Sequence, residues 1–233
     1  MKKTILFDLD STLLQMNQDE FVKCYFKSVA LKVKEFGYDS LEFMKHFSNA
    51  AYCIITNDGS KTNKEVFWEC MRKYYSDIDS KIALFDKYYE NEFNEIKQIV
   101  RNNSLSKDIV STLKSKGYQL ILATNPLFPK ICTIQRIKWA GLDPNDFIYI
   151  STYENSHYCK PNPKYYLEIL NKLSLHEDDC IMVGNDVSDD FSNLPSGMSK
   201  ILITDFLINK NNLPIDMPSY TLEEFLQYIK ERF

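Results

Sequence analysis

Two carboxylates set two residues apart, directly after a short apolar run, constrain this chain more than any other feature. The segment Phe7-Asp8-Leu9-Asp10-Ser11-Thr12-Leu13 follows Thr4-Ile5-Leu6-Phe7, which reads as a buried strand. A strand alternates its side chains, so Asp8 and Asp10 are expected on one side at its carboxyl end, where open α/β sheets bind ligands. Two like charges held that close repel each other, and a bound cation or a shared proton relieves the repulsion. The same pattern also serves as an ordinary turn with a helix cap, so its meaning rests on what the remainder of the chain supplies.

From about Asn103 onward, helix and strand signals alternate. Leu105, Ile109, Val110 and Leu113 form a helical stripe with Ser106 near its start, Lys114 and Lys116 in its last turn and Gly117 as its stop. The apolar run 119–123 predicts a strand, and a helix is expected from about Phe128 to Ala140, closed by Gly141. Phe147–Ser151, Cys180–Val183 and Lys200–Ile203 read as further strands. A helix carrying Tyr166, Ile169, Leu170 and Leu173 has Asn162 at its cap and Pro163 in its first turn. The final helix opens on Thr221-x-x-Glu224, a capping-box pattern, with Leu222, Phe225, Leu226 and Ile229 on one face. Repeated β-α-β units predict an α/β fold with a doubly wound, Rossmann-like parallel sheet covered by helices on both faces.

Between the first strand and this series lies a long helical stretch. Ile82, Phe85, Tyr89, Phe93, Ile96 and Val100 recur at close to the helical period, Phe21, Tyr25 and Val29 start an earlier helix, and Glu65–Tyr75 suggests another. About four helices there make a small inserted bundle. The expected division is an α/β core of residues 1–15 and 102–233, with a helical insertion of residues 16–101.

A net charge of −4 argues against a nucleic-acid polymer as partner and leaves room for a small anion held by one or two lysines. No run approaches the roughly 18 apolar residues of a membrane helix. Asp8 and Asp10 interrupt the amino-terminal apolar run, which makes it a poor secretory signal. Six scattered cysteines without a C-x-x-C pair suit buried thiols in a reducing, cytoplasmic setting. Neither a G-x-G-x-x-G nor a P-loop pattern occurs, and His46, His157 and His176 lack the spacing of a triad or metal site.

Four strand ends then deliver polar residues to one rim: Asp8 and Asp10, Thr124 and Asn125, Lys160 ahead of Pro161, and Gly184-Asn185-Asp186 with Asp189 and Asp190 beyond. Carboxylates at two strand ends, with a hydroxyl and a lysine, suit a cation beside a phosphate, and Mg2+ prefers a few carboxylate oxygens plus substrate phosphate and water. In order and spacing these motifs resemble the haloacid dehalogenase (HAD) superfamily, over the whole chain, and the helical insertion resembles its C1-type cap.

The resemblance implies a Mg2+-dependent phosphatase acting on a small phosphomonoester, such as a sugar phosphate, phosphoglycolate or nucleotide. Asp8 matches the nucleophile that forms an aspartyl-phosphate, and Asp10 the general acid–base that also lends its backbone carbonyl to the metal. Thr124, Asn125 and Lys160 match the phosphate-binding positions. The fourth motif departs from the commonest pattern, with Asn185 where a metal-binding Asp often stands. Asp186 is then the first choice of metal ligand, Asn185 a replacement, and Asp190 a ligand through water or an orienter of Lys160, while Asp189 is expected to face solvent. An acid at position 10 favours the phosphatase branch over dehalogenases. A phosphomutase with the same intermediate and a catalytically silent phosphate-binding or interaction module are the alternatives. The loop 56–63 between two insertion helices reads as a plain connection or, if it faces the site, places Lys61 against a second anionic group of the substrate.

Overall fold

Six strands pair side by side, all parallel, in the computed structural model, which describes residues 4–101 and 104–232. They are β1 (Thr4–Phe7), β2 (Gln119–Leu122), β3 (Tyr149–Ile150), β4 (Cys180–Gly184), β5 (Ser199–Ile203) and β6 (Ser219–Tyr220), in the order β3-β2-β1-β4-β5-β6. The chain therefore winds outward from β1 to β3, returns to the centre and winds the other way, as the sequence predicts. Only β6 has no sequence precursor, since two residues carry no periodicity.

All four residues of β1 are buried, because helices cover both sheet faces. Ile5 and Phe7 pack with α5 (Leu105–Ser115) and α8 (Leu222–Arg232), whereas Leu6 packs with α7 (Pro163–Leu173) on the opposite face. Alternation along one strand thus ties two cores together. The caps read from sequence form as hydrogen bonds: Asn162 Oδ1 accepts from the Lys164 N–H at 3.0 Å, and the Thr221 N–H donates to Glu224 at 2.8 Å. Ser106 does not cap α5; it is buried and donates to the Leu13 carbonyl at 2.6 Å, tying the helix to the turn after β1.

Between β1 and α5 the chain is helical: α1 (Gln18–Glu35), α2 (Ser40–Ile55), α3 (Asn63–Arg72) and α4 (Ile82–Glu90), with 3-10 turns at Ile78–Lys81 and Glu92–Ile99. Asn17 caps α1 through the Glu20 N–H, and Thr62 and Glu65 form a reciprocal capping box on α3. The continuous helix that the period predicts through residue 100 breaks at Asn91, where φ is −116° and ψ is −84°. The Asn91 side chain donates to the Lys87 carbonyl at 2.8 Å, taking the acceptor one helical turn back, and the following turn tightens to 3-10. The expected return to the core at Asn102 and Asn103 lies outside the described residues.

One further helix, α6 (Lys130–Trp139), follows β2. All six cysteines are free thiols, and among the described residues no helix is long and apolar enough to cross a membrane.

Phe225 is fully buried and meets Phe7 edge-on at 6.4 Å, so it couples α8 to the central strand. Phe225→Ala should lower the unfolding free energy by about 3–5 kcal/mol. Urea denaturation of the purified variant measures this, and a loss below about 1 kcal/mol would place the α8 contact outside the cooperative core.

Candidate active site

Winding reverses between β1 and β4, and the crevice beyond their carboxyl ends is where an open sheet of this kind leaves room for a ligand. The Asp8 N–H still donates to the Val183 carbonyl at 2.9 Å, but the strand stops at Phe7. Asp8 and Asp10 therefore share a cavity through a tight turn, not through strand alternation. In that turn the N–H groups of Thr12 and Leu14 both reach the Leu9 carbonyl. Ser11 takes a left-handed φ of 65°, held by its N–H on the Leu14 carbonyl and its hydroxyl on the Met16 carbonyl. The cavity has a volume of about 400 Å3, and Asp8, Asp10, Thr124, Asn125, Lys160, Asn185, Asp186, Asp189 and Asp190 all line it.

Lys160 is the centre of this floor. It is 3% exposed, and its Nζ donates to Asp8 Oδ1 at 2.8 Å and to Asp190 Oδ1 at 2.7 Å. Burial works against its charge, but the Asp190 and Asp8 carboxylates more than offset this and hold its pKa well above the usual lysine value. For Asp8 burial wins instead. It raises the carboxyl to about 7 although Lys160 opposes it, with the Asp190 and Asp10 charges adding to the rise. The other Asp8 oxygen accepts from the Thr12 hydroxyl at 3.3 Å.

Asp190 is fully engaged. Oδ1 takes Lys160, while Oδ2 accepts from the backbone N–H groups of Asn185 and Asp186, each at 3.0 Å. This carboxylate lies so close to Gly184 that a Cβ there would meet Asp190 Oδ2 at 2.2 Å, so only glycine fits at the end of β4. Of the two sequence readings of Asp190, orientation of Lys160 matches this geometry. The Asn185 side chain is likewise occupied, accepting from Thr12 at 2.9 Å and donating to the Phe206 carbonyl at 2.7 Å. Asp186 uses Oδ1 for the N–H groups of Ser188 and Asp189, leaving Oδ2 for a ligand. Asp189 is half-buried on the cavity wall, not solvent-facing as expected, and burial pushes its carboxyl up to about 6.

Among the described residues, no three acidic, histidine or cysteine side chains converge as a dedicated metal cage. Mg2+ does not ask for one, since it takes one or two carboxylates and completes its shell with water and substrate phosphate. Among the described residues, five aspartates line the cavity and Lys160 is the one basic side chain lining it. This hard-oxygen set with excess negative charge suits a divalent cation.

Thr124 and Asn125 follow β2, and Asn125 ties two loops together, since its Oδ1 accepts from the Lys160 N–H at 3.2 Å. Arg136 on α6 escaped sequence analysis. It is fully buried, and its guanidinium donates to Asp10 Oδ2. Burial disfavours its charge, but Asp10, Cys132 and Asp8 together outweigh that cost, so its pKa is raised. Asp10 Oδ1 is buried without a partner among the described residues. The available sequence signal was an arginine inside the apolar face of a short helix, next to Ile137.

Lys61 does not line the cavity. Its ammonium pairs with Glu69 at 2.5 Å, and its loop packs on Tyr158, whose hydroxyl stands where a Cβ on Gly59 would be. The loop is thus a connection seated on the 153–158 segment. None of the three histidines lines the cavity.

The family of haloacid dehalogenase-like hydrolases matches residues 5–203. The chain belongs to it. A protein of Caldanaerobacter subterraneus subsp. tengcongensis, provisionally designated pyrophosphatase PpaX, is 24% identical over 228 residues, spanning 97% of this chain and 92% of its own. A HAD phosphatase from Thermococcus onnurineus superposes with a TM-score of 0.58 at 20% identity, over 98% of both chains. The provisionally named HAD-hydrolase YfnB of Bacillus subtilis, solved with magnesium bound, gives 0.57 at 18% identity over 98% of this chain and 99% of its own. At such identities the structures show the fold, which L-2-haloacid dehalogenases also share.

Removing Arg136 strands a carboxylate inside the protein. Arg136→Met should cost about 3–5 kcal/mol of stability, and adding Asp10→Asn should restore part of it. Urea denaturation of both single variants and the double variant tests the coupling; strictly additive losses would contradict it.

Proposed function

We propose that this hydrolase is a Mg2+-dependent phosphatase that acts on phosphomonoesters through an aspartyl-phosphate on Asp8. The observation that carries this reading is Asp8 held on Lys160 at 2.8 Å with Asp10 two residues on, both facing one cavity at the sheet's switch point. Residues 16–101 act as a cap over a core formed by 1–15 and 102–233, and the unpaired thiols suit a cytoplasmic protein.

Asp8, Asp186 and the Asp10 carbonyl would hold the cation, which supplies positive charge against the phosphate and the attacking carboxylate. Magnesium is common in this family, and one neighbour of the same fold binds it. Lys160, the Thr124 hydroxyl and the Asn125 N–H bind the phosphoryl oxygens, reducing the Coulomb repulsion that an anionic nucleophile meets. An Asp8 oxygen attacks phosphorus, the bond to the leaving oxygen breaks, and Asp10 donates its proton to that oxygen. Arg136 takes Asp10 Oδ2, which leaves Oδ1, without a partner among the described residues, to carry the proton in this reaction. In the second half Asp10 removes a proton from water, the water oxygen bonds to phosphorus, and the bond to Asp8 breaks with release of phosphate.

Asp10 separates this mechanism from dehalogenation, in which no alkoxide needs a proton. A second reading is pyrophosphate hydrolysis, suggested by the designation of the Caldanaerobacter relative. Phosphate release from a panel of phosphomonoesters and pyrophosphate, with Mg2+ and then with EDTA, tests both. Asp8→Asn should stay folded by circular dichroism while kcat falls about a thousandfold or more. EDTA should stop turnover and added Mg2+ restore it. Full activity of Asp8→Asn would sink the covalent mechanism, and transfer of phosphate within the substrate without free phosphate would indicate a mutase.

A further inference from the structure

Away from the aspartates, the cavity changes character. Its walls come largely from α1 to α4 and from the segment after β2, and none of those lining residues is acidic or basic. Phe47, Phe67, Trp68 and Phe128 are among the rings that line it, while Val22 and Ile55 stand at the rim, 40% and 44% exposed. The polar groups deep in these walls pair with one another, and the exposed Gln18 amide is the remaining polar side chain on them. The Tyr25 and Tyr89 hydroxyls bond at 2.6 Å, and the Trp68 indole N–H donates to the Tyr153 hydroxyl at 3.4 Å.

Such a wall selects by desolvation. A second phosphate, a carboxylate or a polyhydroxylated chain entering here would shed its water and find no cation and few free donors. A flat apolar group loses nothing comparable and gains burial against several rings. We infer that the substrate is a phosphomonoester whose alcohol carries an uncharged, planar aromatic group, with the phosphate on the acidic floor and the ring against Phe47 and Trp68. This rests on the phosphatase reading and narrows it, turning away from phosphoglycolate, sugar phosphates and pyrophosphate.

The test compares substrates of equal intrinsic reactivity, so primary alkyl esters are used throughout. For 2-naphthylmethyl phosphate, kcat/KM should exceed that for glycerol 3-phosphate and phosphoglycolate by about a hundredfold, mostly through KM. Phe47→Ala should reduce the naphthylmethyl value about tenfold and leave glycerol 3-phosphate within about twofold. Because that change could unfold the helical segment, Ala51→Lys provides a second probe. Ala51 is only partly buried on α2, and a lysine there adds a cation to the wall. It should move the preference toward phosphoglycolate by about tenfold or more.

Equal kcat/KM for the three esters, or an unchanged preference in Ala51→Lys, overturns the inference. Absence of turnover on every ester would overturn the phosphatase reading instead. The wall is then read by binding alone: 2-naphthylmethylphosphonate should quench Trp68 fluorescence with a Kd at least about tenfold below that of methylphosphonate. Equal Kd values would sink the inference whatever the catalytic outcome.

Discussion

A single ammonium group buried between two carboxylates holds this site together. Lys160 arrives from the segment before α7, Asp8 from the end of β1 and Asp190 from the loop after β4, so three distant parts of the chain meet within hydrogen-bond distance. Burial by itself would drive the lysine to lose its proton and the aspartates to gain theirs. Each charge is tolerable because of the others, and loss of any one would leave a stranded ion. The Asp190 end is anchored further: its second oxygen collects two backbone N–H groups, Gly184 makes room for it, and the Tyr166 hydroxyl donates to its carbonyl. The loop after β4 therefore has little freedom to present Asp186 differently.

How much of this was legible in the sequence depended on whether a residue's role was local. Asp8 and Asp10 followed the strand-like run Thr4-Ile5-Leu6-Phe7, Lys160 preceded a proline, and the capping box at Thr221 closes within four residues. Such features carry their own signal. Asn185 did not, because what commits its side chain is Thr12 on one side and the Phe206 carbonyl on the other, both far away in sequence. Arg136 was harder still. An arginine on a helix reads as a solvated charge, and only the packing of α6 against the turn after β1 turns it into a buried partner of Asp10. The break at Asn91 was hidden by an apolar period that continues unchanged across it, as a side-chain hydrogen bond leaves no trace in hydrophobic spacing.

Arg136 also joins the two halves of the cavity. Its guanidinium lies 4.4 Å from the centre of the Phe128 ring and 5.8 Å from that of Phe21, while its nitrogen holds Asp10. Phe21 belongs to α1 and Phe128 to the segment after β2, and both line the cavity. One buried cation therefore backs two rings of the aromatic wall while it holds the acidic floor, without itself lining the cavity. In the proposed reaction the leaving oxygen needs the Asp10 proton, and the group attached to that oxygen extends away from the floor. The residue that fixes the acid thus also backs the rings against which the leaving group would lie.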